Sequence, residues 1–276
     1  MAVCALCKKE SKLIRSHLIP KAAYKAARVP TGGGGGLVKV LTNEGSAFYS
    51  DEQVVADLLC SSCEDLFSKK GEKVVGELWG RELSFPLLEA LSAFGPIAVG
   101  QRFDVFSPDA LSKRERDALF YFAVSVFWRA NVWPWERKKD RYVGALGPRY
   151  ELSFREFLLT GKDLDNCYLL LTVNSSDALR GLIAFPVQNK INRATVHIFD
   201  VLGLKFSMVV GGHVPPEIKK PFVELKSNLL VLTSPLEQAP DFLELVKYVQ
   251  RNVRPRGRLL SEGGRLVQQS KFLYLA

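Results

Sequence analysis

Four of the five cysteines fall into two doublets, Cys4-x2-Cys7 and Cys60-x2-Cys63, and that spacing is the most specific chemical signal in the chain. A Cys-x2-Cys turn aims two thiolates at one point, and two such turns complete a tetrahedral four-sulfur zinc site. The 52 residues between the doublets exceed the interval of common zinc ribbons. Loop-closure entropy grows only slowly with length, so a metal clip can still close the interval. Two other readings of these cysteines stay open: a redox pair, which calls for a thioredoxin-like βαβ context that the pattern lacks, and unrelated core thiols. A four-sulfur zinc is closed to water, so it would staple a small module and leave any reaction to neighbouring residues. Cys167, alone in an apolar run, reads as a small core residue.

The neighbour best placed for a reaction is His17, ten residues past Cys7 in Leu13-Ile14-Arg15-Ser16-His17-Leu18-Ile19-Pro20. Proline disfavours helix at the preceding residue, so the stretch should be extended. An imidazole near neutrality there can take a proton from water. The chain has three histidines. His197 sits on an alternating strand pattern and reads as packing; His213 lies in a loop with no acid or metal-ligand partner spaced to support it. Neither a Ser-His-Asp order nor a dinucleotide fingerprint is visible.

The formal charge of +9 and a pI near 9.3 favour a polyanionic partner. Nucleic acid is expected ahead of a membrane. Trp133 and Trp135 next to Arg137, Lys138 and Lys139 combine aromatic faces with a basic run, a composition suited to bases and phosphates. Arg251, Arg254, Arg256 and Arg258 near the C-terminus can likewise neutralise phosphates. The most apolar helical run, Ala118 to Phe127, falls far short of the ~20 residues needed to span a bilayer. The N-terminus lacks the apolar core and cleavage site of a secretory signal, so a reducing, cytoplasmic location is expected.

These residues need elements to hold them. Gly32 to Gly36 is followed by no Gly-Lys-Ser/Thr and leads into an alternating Leu-Val-Lys-Val-Leu, so it reads as a flexible loop and not a phosphate-cradling one. Asn43-Glu44-Gly45 offers a hairpin turn between the doublets. Ser61 and Glu64 have capping-box spacing, and Phe67, Val74, Val75 and Leu78 recur at helical intervals, which predicts a helix from about 63 to 79. A second capping box, Ser112 with Glu115, opens a helix whose middle is apolar on every face, as expected of a helix buried in a core. The segments around 167–174, 182–188, 195–202 and 204–212 predict an antiparallel sheet, and 240–253 a closing helix. The fold class is α+β: a zinc-bound module over residues 1–80 and a larger domain of helices and sheet over 81–276, with the boundary between 80 and 105.

The order Cys4-x2-Cys7, Ser16-His17-Leu18-Ile19-Pro20, then Leu58-Leu59-Cys60-Ser61-Ser62-Cys63-Glu64 resembles the zinc-stapled branch of the HNH endonucleases. The resemblance covers about the first 70 residues and implies a ββα-metal module of two strands, a loop and a helix. It further implies that His17 is the general base for hydrolysis of a DNA phosphodiester, and that Glu64, with Asp65 beside it, is the helix-borne ligand of a catalytic Mg²⁺ or Mn²⁺. Two departures stand out. Ser16 replaces the aspartate that usually supplies the other cation ligand, and the asparagine expected shortly before the second doublet, which orients the histidine, is absent from Val54-Val55-Ala56-Asp57. The alternative is a non-catalytic zinc-containing nucleic-acid-binding or adaptor protein, with a protein partner on the C-terminal domain.

Overall fold

The computed structural model describes residues 1–28, 37–81, 83–135 and 142–261, and the backbone of 273–275. The chain opens on a short ladder, β1 (Ala2–Val3) against β2 (Glu10–Ser11), which folds Cys4 to Cys7 into a turn closed by a hydrogen bond from Lys8 N to Cys4 O. Next come β3 (Leu13–His17), α1 (Lys21–Ala27), the hairpin of β4 (Leu37–Leu41) and β5 (Ser46–Ser50), and β6 (Val55–Cys60). β6 pairs antiparallel with β3, so the hairpin between them is an insertion in a two-stranded unit. The insertion turns at Gly45, whose φ is +61° and where a Cβ would stand 2.7 Å from the Asn252 carbonyl oxygen, so only glycine fits.

α2 (Ser61–Phe67) and α3 (Lys73–Leu78) form one rod interrupted by a π turn, Ser68–Glu72. Gly71 lies in that turn against α5 (Lys113–Val132), where a Cβ would meet the Phe122 backbone at 3.2 Å. Between them lie α4 (Pro86–Phe94), β7 (Ala98–Val99) and β8 (Asp104–Phe106). The capping box of α5, Ser112 with Glu115, is formed as its spacing predicts. The other is not: α2 starts after Cys60 with no side-chain cap, and Glu64 turns to another partner.

After α6 (Gly147–Thr160) come β9 (Cys167–Asn174), β10 (Ile183–Ile191), β11 (Ala194–Val201), β12 (Leu204–Val210), α7 (Pro216–Glu224), β13 (Leu229–Ser234), α8 (Pro240–Asn252), β14 (Arg254–Pro255), α9 (Arg258–Ser261) and β15 (Leu273–Leu275). The expected antiparallel strands run in the order β10-β11-β12-β9, and β13 joins parallel to β9. At the other side β15 links β10 to β4, and β14 adds to β5, so the inserted hairpin becomes part of the larger sheet.

α5 lies on this sheet, buried from Ala118 to Asn131, with Phe122 edge-on to Phe199 and Phe206. The core it organises runs from Cys4 through Phe67 to Val231. Among the described residues Trp79, Phe85, Leu87 and Leu91, on either side of residue 80, belong to the same core as the cysteine turn. Burying so much apolar surface in one body makes the stability of the first 80 residues depend on the rest. Trp133 is a correction to the surface reading: it is buried, and Trp135 is half-buried with its indole N–H donating to Ala130 O, so their faces pack inward. Arg137, Lys138, Lys139 and the glycine run 32–36 lie outside the described residues. Among the described residues no helix is long and apolar enough to cross a membrane.

His197 is a core residue, as its strand pattern suggests: it is 1% exposed and shares a 2.9 Å hydrogen bond with Tyr142. Burial lowers its pKa from 6.5 to about 4. The unfolded chain then binds more protons between those values, so stability is full above pH 6.5 and is lost as pH falls toward 4. That loss is worth about 3 kcal/mol. Urea unfolding of the wild type and His197→Gln across this window is expected to show the wild type losing about that much more than the variant. Parallel pH profiles would refute it.

Candidate functional site

The β3–β6 pair carries chemistry at both ends. Leu13 faces Cys60 at one end and His17 faces Val55 at the other, four residue steps or about 14 Å apart. At the first end the β1–β2 turn delivers Cys4 and Cys7, and the β6–α2 junction delivers Cys60 and Cys63. The four sulfurs all lie within 4.8 Å of one another. Ligands about 2.3 Å from a tetrahedral zinc stand about 3.8 Å apart, and Cys7 Sγ and Cys60 Sγ are separated by 3.9 Å. The donor set and its spacing fit zinc. The Cys60 backbone N–H points at Cys4 Sγ at 3.3 Å, a hydrogen bond that holds the sulfur in place. Without a metal the thiols shift in opposite directions: burial pushes Cys60 up but hydrogen bonds from Cys63 and the other thiols outweigh it and bring it down to about 7, while burial pushes Cys7 and Cys63 up; a bound zinc would hold all four as thiolates. Cys167 is buried elsewhere, in β9, its thiol pushed up to about 12 by burial.

At the second end a β-bulge between Ile14 and Arg15 shifts the register and re-aims the residues after it. Ser16, fully buried, donates a 3.0 Å hydrogen bond to Glu64 Oε2 on α2. The two positions that the resemblance treats as cation ligands therefore do meet, but they meet each other. Burial raises the Glu64 pKa. Asp65 points away from this contact to an ion pair with Lys69 at 2.6 Å.

His17 is half-buried, with its Nε2 2.9 Å from Gln53 Oε1. The amide oxygen accepts, so the ring proton sits on Nε2 and Nδ1 carries the lone pair. No described residue bonds Nδ1. Burial lowers the His17 pKa, which keeps the ring neutral near pH 7. Gln53 thus does what the missing asparagine was expected to do, from a position just before β6. Asp57 does not: it is exposed, opposite Arg15.

Arg129, in the last turn of α5, reaches beneath this end of the β3–β6 pair and is fully buried. Its Nη1 donates to His17 O at 2.7 Å, its Nη2 to Glu72 Oε1 at 2.8 Å, and its guanidinium stacks 5.2 Å from the centre of the Phe67 ring. Glu72 ends the π turn. Eight α-helical steps would rotate it about 80° away from Glu64; the wider winding of the π turn carries it back toward the same side, where both acids feel Arg129. Gln53, Glu72 and Arg129 escaped the sequence reading. The one visible signal was Arg129 itself, a charge that follows the apolar run Ala118 to Phe127 within the same helix.

A catalytic Mg²⁺ or Mn²⁺ needs several oxygen donors around one point. Glu64 is occupied by Ser16 and Glu72 by Arg129. Among the described residues the four cysteines are the one group of three or more such side chains close enough to hold an ion. The residues at the His17 end do not fit that second metal.

Arg254 and Arg256 are exposed on the strand that adds to β5, and Arg15, Lys21 and Lys25 are exposed around the His17 end. None of the five forms an ion pair among the described residues. Compared with family models, curated proteins and solved structures, the chain matches none.

Proposed function

We propose that the protein hydrolyses nucleic-acid phosphodiesters, DNA foremost, with His17 as general base on a zinc-stapled ββα module. The observation that carries this reading is the His17–Gln53 pair: it holds the imidazole by Nε2 and leaves Nδ1 for a proton. In the reaction Nδ1 takes a proton from water as the water oxygen bonds to phosphorus. The bond from phosphorus to the leaving oxygen breaks, and that oxygen is protonated from solvent. Unpaired cations such as Lys21 and Arg15 suit a phosphate backbone, and binding should weaken steeply with salt. The Mg²⁺ or Mn²⁺ implied by the HNH resemblance finds no matching donors here, so no step is routed through it. Zinc, held by Cys4, Cys7, Cys60 and Cys63, supplies shape and no chemistry.

The test is nicking of supercoiled plasmid by the full-length protein, with and without added divalent ions. His17→Ala is expected to slow cleavage about 10²- to 10⁴-fold, the usual contribution of a general base. Gln53→Ala should slow it less, because the ring remains but loses its orientation. Undiminished cutting by His17→Ala would sink the reading.

A second reading has its own support. Ser16 on Glu64 and Arg129 on Glu72 satisfy the site's charges internally, as in a module kept for docking. A non-catalytic nucleic-acid-binding or adaptor protein would show salt-sensitive binding with no cleavage under any divalent ion, and its larger sheet and helices would meet a protein partner.

A further inference from the structure

The His17 end of the module contains two acids, one imidazole and one buried guanidinium, and it is the guanidinium that needs explaining. A buried charge is tolerated only when it is paired and its donors are satisfied. Arg129 meets that requirement by spanning α5, the π turn and the end of β3: it bonds Ser125 O within its own helix, Glu72 across the helix interface, and the carbonyl of the candidate base. Glu64, the acid that the resemblance assigns to a metal, is held by the hydroxyl of Ser16, the residue before that carbonyl. A divalent ion here would lie close to a fixed positive charge and would have to compete with it for Glu72 and with the Ser16 hydroxyl for Glu64. At short range in a buried site, like charges repel by several kcal/mol.

We infer that Arg129 is the resident cation of this pocket, standing among Glu64, Glu72 and the His17 carbonyl where an HNH site holds a divalent ion, and that the pocket therefore takes up no Mg²⁺ or Mn²⁺. The π turn is part of this arrangement. It brings Glu72 round to Arg129, and Gly71 inside it lets the helix approach α5 closely enough for the guanidinium to cross. Arg129 also positions the base: its bond to the His17 carbonyl fixes the backbone from which the imidazole projects. The assignment borrows from the hydrolase reading only the choice of pocket.

The experiment uses zinc-loaded full-length protein and Mn²⁺ as probe, read by electron paramagnetic resonance and by thermal melting. Wild type is expected to show no Mn²⁺ site that depends on Glu64 and no rise in Tm. Arg129→Met frees Glu64 and Glu72 from the competing charge, and should bind Mn²⁺ at least about tenfold more tightly than wild type, since ligand charge sets divalent affinity. Its Tm should rise with added Mn²⁺ by mass action, and adding Glu72→Gln should abolish the rise. A wild-type Mn²⁺ signal that vanishes in Glu64→Gln would overturn the assignment. That arm decides even where Arg129→Met does not fold. Because nothing here reads cleavage, a wild type that binds no Mn²⁺ and cuts no DNA removes the hydrolase reading and leaves the assignment of Arg129 standing.

Discussion

Cys63→Ser is expected to release zinc and unfold the first 80 residues. A structural zinc supplies about 10–16 kcal/mol of apparent binding free energy in zinc-finger peptides, while a whole domain is stable by only about 5–15 kcal/mol. The stretch that the metal ties is poor in other supports. β1 and β2 are two residues each, and β3 pairs with β6 over five partners. Cys4, Leu6, Leu59 and Cys63 are also members of the main core, so loosening them exposes the underside of α2 and, through Phe67, the face of α5. The loss should therefore appear in the global melt and not only locally. Metal analysis, limited proteolysis and circular dichroism measure it, with chelation of the wild type as a second route to the same state. Cys167→Ser is the control, since that thiol is buried in β9 away from the cluster and should leave the zinc content unchanged. Wild-type protein without zinc, together with a Cys63→Ser protein that melts like it, would show that the four sulfurs gather for packing alone.

What could be read from the residues beforehand divides along a physical line. The doublets were legible because tetrahedral coordination demands a particular local spacing, and the turn proline made β3 legible as an extended stretch. The capping box at Ser112 was legible because both of its partners lie within one turn. The Ser61–Glu64 pair has the same spacing and failed, because Glu64 found a better donor in Ser16, 48 positions earlier in the chain. Local propensity lost there to a tertiary contact. Gln53 and Arg129 were illegible for a related reason: their roles exist only once β6, α5 and the π turn are assembled, and no short-range pattern encodes a contact 112 positions apart. The π turn itself has no sequence rule behind it, although a glycine, Gly71, stands inside it. The division into two parts at 80–105 followed the order of motifs and elements along the chain, and that order is silent about the core that residues of both parts share.

Arg129→Met is expected to cost about 3–5 kcal/mol, the usual penalty for breaking a buried ion pair from one side. The arginine side chain is wholly buried and the Glu72 side chain 18% exposed, so the carboxylate left behind is mostly dehydrated and must either stay charged without a partner or take up a proton. The His17 carbonyl also loses its donor. Methionine fills much of the same volume, so little of the cost comes from a cavity. Arg129→Lys should fall between the two, because an ammonium keeps the charge but cannot fork to Glu72 and the His17 carbonyl at once. The pairwise part is isolated by adding Glu72→Met. If the cost comes from an orphaned charge, the double variant regains much of the stability that Arg129→Met loses, since two apolar side chains leave neither charge buried. Denaturant midpoints of the four proteins close that cycle. A double variant no more stable than Arg129→Met would mean that the arginine acts through packing on Phe67 and the rest of α5, and its placement against the acids would then have no energetic consequence.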